Sequence, residues 1–96
     1  AYTAVDKAEE QEDLALMING TTPGVIARVC AKRGLPLVQI STDYVFDGSG
    51  TDAFTCDHPT GPLGAYGRTK LVGEEEVGQP VLRRLQTSVC QRRANY

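Results

Sequence analysis

A long helical pattern that runs directly into a short, almost wholly apolar segment limits the folds open to this chain. From about Glu9 to Arg33, apolar residues recur at three- and four-residue steps, and Gly34 then supplies a stop signal. The next segment, Leu35 to Ile40, has the nearly continuous apolar character that is typical of a parallel strand covered on both faces. A helix followed by such a strand predicts an α/β sheet.

The same patterns predict the remaining elements. One apolar stripe on the first helix is formed by Leu14, Met17, Ile18, Thr21, Val25, Val29 and Cys30. We expect Cys30 to pack in the core, and we expect a kink or a break at Pro23-Gly24. Further along the chain we predict a long loop over 47–63, a helix from near Ala65 to Val77 that is stopped by Gly78-Gln79-Pro80, and a last strand over 81–89.

Size and charge favour one small domain. The chain has 96 residues, of which 41% are hydrophobic and 23% charged, an ordinary composition for a globular domain. The net charge of −2 argues against nucleic acid or an anionic membrane as a partner. Three cysteines provide no disulfide framework and favour a cytoplasmic location. No apolar run approaches the roughly 20 residues of a membrane span, and because there is no initiator Met we expect a fragment or a processed piece.

Three residues form a constellation suited to proton transfer. Tyr66 and Lys70 lie four positions apart in the second predicted helix, so their side chains share one face. An ammonium beside a phenol favours the phenolate, which helps the phenol to exchange protons. Thr42 follows the predicted strand at the edge where α/β sheets bind ligands, and a nicotinamide would supply the hydride that no side chain provides. Alone, the Tyr–Lys pair is also open to the plainer interpretation of a surface pair on a solvated helix.

Four segments together carry a resemblance to a known family. They are AYTAVDKAE (Ala1 to Glu9), INGTTPG (Ile18 to Gly24), ISTDYVFDGSGT (Ile40 to Thr51) and PTGPLGAYGRTKLVGEE (Pro59 to Glu75). Over residues 1–78 the chain closely resembles dTDP-4-dehydrorhamnose reductases, members of the extended short-chain dehydrogenase/reductase superfamily. The resemblance implies NAD(P)H-dependent reduction of the 4-keto group of dTDP-4-dehydro-6-deoxy-L-mannose (dTDP-4-dehydrorhamnose) to dTDP-L-rhamnose.

The resemblance also implies a fold. We expect an α/β, partial Rossmann-like layer, that is, part of a doubly wound parallel sheet, in a single domain over residues 1–96. Its reductase-like core covers about 1–78 and a divergent tail covers 79–96. The N-terminal glycine-rich βαβ unit, which binds pyrophosphate in the family, and the C-terminal substrate lobe are expected to be lacking. A glycine string from Thr60 to Gly67 is not predicted to replace that unit, because no apolar strand precedes it.

By resemblance, the catalytic residues are Thr42, Tyr66 and Lys70. Tyr66 would donate the proton, Lys70 would promote its loss and hold the nicotinamide ribose, and Thr42 would position the sugar carbonyl. The cofactor, NADPH or NADH, would be bound by Ala1, Tyr2, Thr3, Asn19, Tyr66 and Lys70. Among these residues, Asn19 resembles the superfamily's helix asparagine, which supports the lysine through its backbone and a water. The substrate would lie beside Thr42, Asp43 and Tyr44.

Other functions and partners follow less directly from the sequence. A non-catalytic regulatory or binding module and an inactive fragment of such a reductase stay open as alternatives. The expected partner is a nucleotide sugar, with neither nucleic acid nor a membrane, and unpaired sheet edges lead us to expect a homo-oligomer. Some relatives use Mg²⁺, yet no metal site is predicted in this sequence. We interpret Cys56 and His58 as ordinary loop residues, because two ligand types without further partners do not make a site.

Overall fold

The structure is a computed structural model that describes residues 1–48 and 59–81, and its side chains through Gly78. In chain order the elements are α1 (Val5–Glu10), α2 (Glu12–Leu16), a π-helical turn (Met17–Thr21), α3 (Thr22–Arg33), a 3₁₀ turn (Asp43–Val45) and α4 (Ala65–Val81). The π turn joins α2 to α3 in one nearly continuous helical stretch. This stretch packs against α4, which also contacts α1 and the 3₁₀ turn.

The predicted sheet is not found in the part of the chain that the structure describes. Residues 35–40 have no regular secondary structure, so the strand predicted there is wrong in this structure. A strand is stabilised by hydrogen bonds to a neighbouring strand, and residues 1–48 and 59–81 provide none. The second predicted strand, over 81–89, lies outside the described residues except for Val81, which ends α4.

The distortion expected at Pro23-Gly24 lies one turn earlier. Pro23 stands in the first turn of α3, where a missing N–H is tolerated, and the helical path continues through it without the predicted break. The chain instead widens into the π turn at Met17–Thr21. Because Pro23 has no N–H, it cannot bond the carbonyl of Asn19 four positions earlier. That carbonyl packs against the Cα of Gly73 in α4.

Small residues, rather than the apolar stripe, form the contact with α4. The buried positions of the long helical stretch are Ala15, Asn19, Gly20, Pro23, Gly24 and Ala27. A Cβ on Gly20 would lie 2.9 Å from Val72 Cγ1, so only glycine permits this approach. The larger residues of the predicted stripe are exposed among the described residues, and Cys30 is half-buried rather than in the core. At the contact with α4, a small side chain therefore matters more than a hydrophobic one.

Of the four predicted helix ends, the stop at Gly34 and the start at Ala65 agree with the structure, whereas the helix predicted from about Glu9 is divided at Gln11 into α1 and α2. Gly34 ends α3 in a left-handed conformation with φ of 65°, and the Leu35 N–H bonds the Cys30 carbonyl at 2.9 Å, which confirms the predicted stop. The predicted start at Ala65 is confirmed. The predicted end at Val77 is wrong, since α4 continues through Gly78-Gln79-Pro80 to Val81.

One helical stretch has the length and composition of a membrane span. It runs over Glu12–Arg33, 22 residues, contrary to the expectation that no such run exists. Its charged residues lie mainly near the two ends, which leaves a long apolar centre. A buried core helix passes the same test, but only 33% of this window is buried, on the side that packs against α4. The absence of a membrane partner stays a prediction.

Candidate active site

α4 carries Tyr66 and Lys70 on the face that packs against the rest of the chain. Tyr66 is 9% exposed and Lys70 is 5% exposed. The start of the helix is fixed by Glu9, whose Oε1 accepts the Ala65 N–H at 2.7 Å. A carboxylate at this position satisfies a free N–H and complements the helix dipole. The first turn of α4, which contains Tyr66, is therefore anchored to α1.

The ammonium of Lys70 joins α4 to the segment that contains Thr42. Its Nζ donates a hydrogen bond to the Ile40 carbonyl oxygen at 2.7 Å. Burial lowers the pKa of Lys70, and the carboxylate of Glu74 one turn further along partly opposes this. A cation in such a desolvated position acts strongly on nearby charges, because water screens it poorly.

Glu74 responds to burial in the opposite direction. Burial raises the pKa of Glu74, while the Ser41 hydroxyl and the Lys70 ammonium lower it by smaller amounts. Lys70 and Glu74 thus approach neighbouring residues, Ile40 and Ser41, immediately before Thr42. The hydrogen bond from Lys70 to the Ile40 carbonyl therefore holds against α4 the segment on which the predicted substrate residues lie.

The Tyr66 ring borders a pocket of about 380 Å³. The lining comprises Val5, Asp43, Tyr44, Phe46, Asp47, Gly48, Leu63, Gly64, Tyr66 and Gly67. The rings of Tyr44 and Tyr66 meet edge to face, with centroids 5.6 Å apart and an interplanar angle of 77°. Among the side chains of residues 1–48 and 59–78, none hydrogen-bonds the Tyr66 phenol, and only the backbone carbonyl of Tyr66 accepts a side-chain bond. Its hydroxyl is therefore available to a ligand.

Thr42 caps the 3₁₀ turn that precedes the pocket. Its Oγ1 accepts the Tyr44 N–H at 3.3 Å and donates to Asp43 Oδ1 at 3.4 Å, a long bond. Asp43 and Tyr44 line the pocket, whereas Thr42 stands beside it. Of the three predicted substrate residues, two thus share the pocket with Tyr66. The role of the Thr42 hydroxyl stays a prediction.

Asn19 pairs with the main chain of Tyr2. The Tyr2 N–H donates to Asn19 Oδ1 at 2.8 Å, and Asn19 Nδ2 donates back to the Tyr2 carbonyl at 3.0 Å. Tyr2 also packs against a buried cluster that contains Tyr66. Ala1 and Thr3, on either side of Tyr2, are exposed. Three of the predicted cofactor residues, Tyr2, Asn19 and Tyr66, therefore lie together, and the support of Lys70 by Asn19 stays a prediction.

Three further residues shape the site without having been singled out from the sequence. Thr69 is 2% exposed and hydrogen-bonds both Tyr66 and Asn19. Gly67 has the Tyr44 carbonyl at the place where a Cβ would stand, and Gly73 likewise meets the Asn19 carbonyl. Glycine inside a helical pattern is a known signal of close backbone approach. The two glycines in the predicted helix were therefore a sequence signal of close backbone contact. A buried threonine has no comparable signal in the sequence.

No metal centre is found among the residues that the structure describes. Over 1–48 and 59–78, no group of three or more His, Cys, Asp or Glu side chains is arranged to hold an ion. Cys56 and His58 lie outside the described residues. The Mg²⁺ that the resemblance allowed finds no support in these contacts or in the comparisons below.

Comparison of sequences supports the resemblance. The chain is 51% identical over 77 residues to a dTDP-4-dehydrorhamnose reductase of Streptomyces griseus, covering 80% of this chain and 25% of the relative. It is 47% identical over 78 residues to a dTDP-4-dehydrorhamnose reductase of Mycolicibacterium smegmatis, covering 80% of this chain and 24% of that protein. The chain thus spans about a quarter of the length of these relatives.

Comparison of structures gives the same assignment. A crystal structure of a dTDP-4-dehydrorhamnose reductase from Clostridium acetobutylicum matches with a TM-score of 0.80 and 49% identity, over 82% of this chain and 28% of that one. A second, from Bacillus anthracis in complex with NADP, matches with a TM-score of 0.80 and 40% identity, over the same shares. These neighbours are Rossmann-type reductases, which confirms the coarse fold class although the described residues contain no strand. The family profile described as the RmlD substrate binding domain matches residues 1–89, and the chain therefore belongs to that family.

Proposed function

We propose that this chain carries the proton-donating part of an NADP(H)-dependent reductase, which converts dTDP-4-dehydrorhamnose to dTDP-L-rhamnose. The observation that carries the proposal is the placement of Tyr66 and Lys70 one turn apart on the buried face of α4, with the phenol of Tyr66 unpartnered beside a pocket. The names of the relatives support the substrate class.

The chemistry assigns a separate task to each side chain. Tyr66 donates its phenolic proton to the carbonyl oxygen at C4 of the sugar, so that the ketone becomes an alcohol. The Lys70 ammonium stabilises the phenolate that remains until a proton from solvent restores the phenol. When bound, a reduced nicotinamide supplies the hydride. Asp43 and Tyr44 line the pocket and, with Thr42, hold the sugar in this proposal.

The contacts at Tyr2 and Lys70 suit the nicotinamide end of such a cofactor. The ammonium of Lys70 has three N–H donors, and the Ile40 carbonyl uses one of them. Asn19 fixes the main chain of Tyr2 next to the cluster that contains Tyr66. One solved relative is a complex with NADP, which favours NADP(H) over NAD(H). We therefore propose that Ala1, Tyr2, Thr3, Asn19, Tyr66 and Lys70 contact the nicotinamide and its ribose.

The proposal predicts that Tyr66→Phe abolishes turnover while the fold is retained. Loss of a general acid reduces a rate by about 10²- to 10⁴-fold. The measurement is NADPH absorbance of the purified chain with dTDP-4-dehydrorhamnose, and Tyr96→Phe, outside the reductase-like core of the sequence over 1–78, is the matched control. Equal turnover by wild type and Tyr66→Phe would contradict the assigned role.

A graft tests the same chemistry with the rest of a reductase present. Residues 1–78 replace the matching quarter of the Clostridium acetobutylicum enzyme, to which this chain is 49% identical. We expect the chimera to reduce the keto sugar and the same chimera with Tyr66→Phe to lose activity. A folded chimera that binds NADPH yet does not turn over would argue for a non-catalytic module instead.

A further inference from the structure

A buried chain of hydrogen bonds joins the turn between Tyr66 and Lys70 to the main chain of Tyr2. Thr69 Oγ1 donates to the Tyr66 carbonyl at 2.9 Å and accepts from Asn19 Nδ2 at 3.2 Å. The carboxamide of Asn19 in turn pairs with both main-chain groups of Tyr2, at 2.8 and 3.0 Å. Thr69 and Asn19 are 2% and 1% exposed, so water does not compete for these bonds.

The direction of each bond in this chain is fixed by the chemistry of its groups. A hydroxyl has one proton, and Thr69 directs it to the Tyr66 carbonyl, which can only accept. Thr69 must then accept from Asn19, which sets the NH₂ group of the carboxamide toward Thr69 and its oxygen toward the Tyr2 N–H. A rotated carboxamide would oppose two acceptors to each other and two donors to each other. The main chain of Tyr2 therefore fixes the orientation of Asn19, and Thr69 accepts the second Nδ2 proton and ties this pair to α4.

The same hydroxyl acts on the geometry of α4. A threonine that bonds the carbonyl three positions earlier competes with the helical hydrogen bonds and often bends the helix at that turn. This turn is the one that separates Tyr66 from Lys70. Thr69 thus adds a buried hydrogen bond between this turn of α4 and Asn19 in the π turn.

We infer that Thr69 is a positioning residue, which acts through Asn19 to hold the Tyr66–Lys70 turn in a fixed relation to the Tyr2 main chain. The catalytic consequence rests on the proposed function, because it takes Tyr66 as the proton donor and Tyr2 as part of the cofactor contact. The mechanical link rests on the hydrogen bonds alone.

Hydrogen exchange of the Asn19 carboxamide and of the Tyr2 amide tests the link without any need for activity. Thr69→Val keeps the shape and removes both bonds, and we expect exchange at both sites to accelerate by about tenfold. Thr69→Ser keeps the hydroxyl and should restore slow exchange, while Thr22→Val, at an exposed helical threonine, should change nothing. Unchanged exchange in a helical Thr69→Val chain would overturn the proposal.

Two measurements keep the test decisive. If Thr69→Val does not fold, exchange is measured for the wild-type chain folded in buffer and unfolded in urea. An Asn19 carboxamide that exchanges equally fast in the two states overturns the link. Where the wild type turns over, Thr69→Val should lower kcat more than it raises the KM for NADPH, with recovery in Thr69→Ser. A wild-type kcat in Thr69→Val would refute the catalytic consequence of the Thr69 link. A folded, NADPH-binding chimera without turnover would refute the proposed function, and the exchange data would still decide the role of Thr69.

Discussion

Lys70 and Glu74 show how burial on one helix moves two ionisations in opposite directions. Burial lowers the pKa of Lys70 below 10.5 and raises that of Glu74 above 4.5. Just below 10.5 the unfolded chain therefore holds more protons at Lys70, so that stability rises with pH in that window. Just above 4.5 the folded chain holds more protons at Glu74, so that stability falls as pH rises. The two windows lie on opposite sides of neutral pH.

We predict that Glu74→Gln removes the fall in stability above pH 4.5. The glutamine has no proton to lose, so its free energy of unfolding should vary less with pH than that of the wild type from 4.5 upward. Urea unfolding at several pH values measures this difference. Glu10→Gln, at an exposed position of α1, serves as the control. Parallel pH profiles for wild type and Glu74→Gln would refute the assigned effect of burial.

At the residue scale, the sequence predicts the spacing of the site residues along a helix but not the groups that surround them. The four-residue interval of Tyr66 and Lys70 follows from helix geometry alone, and α4 begins at Ala65 as expected. The bond from Lys70 to the Ile40 carbonyl and the cap of Ala65 by Glu9 join residues far apart in the chain. Such contacts depend on the final packing of the elements, which the periodicity of a single helix does not contain.

At the scale of elements, glycine decides which helix faces meet. The Tyr44 carbonyl packs against the Cα of Gly67, and the Asn19 carbonyl against that of Gly73. Hydrophobic periodicity pointed to a stripe with Met17 and Val25, and both are exposed among the described residues. Periodicity reports how apolar a helix face is, whereas the observed contact with α4 depends on how closely the two backbones can approach. A strand over 35–40 was predicted for a related reason: an apolar run indicates burial but not the partner that a sheet requires.

Gly67→Ala should therefore destabilise the fold. The new methyl group would overlap the Tyr44 carbonyl, and such overpacking typically costs about 1–3 kcal/mol. Gly78→Ala is the matched control within the same helix, because nothing lies within 4 Å of its added Cβ. An alanine in an open helical position stabilises by roughly 0.5–1 kcal/mol. Urea unfolding of both variants gives the comparison, and equal effects in the two would contradict a role for the Tyr44 contact.

At the scale of the whole molecule, the described residues leave much apolar surface in water. Val38 is 87% exposed and Ile40 is 78% exposed, and the apolar stripe of α2 and α3 is exposed as well. Apolar surface in water costs about 25 cal/mol per Å², which favours any contact that covers it. The region matched by this chain is about a quarter of the length of the relatives, so most of their fold lies outside the compared region. The chain thus presents faces that need a covering polypeptide.

For the chain by itself, the available cover is a second copy, and we predict reversible self-association through the segment over 35–40. Val38→Asp places a charge in that surface, and desolvating a charge in an apolar contact should weaken association by at least about tenfold. Sedimentation velocity over a range of concentrations measures the effect. Thr60→Asp adds the same charge at an exposed polar position and should leave association unchanged. Because the substitution lies on an exposed side chain, the helical circular dichroism of the monomer should persist, and a wild type that stays monomeric at all concentrations would refute the prediction.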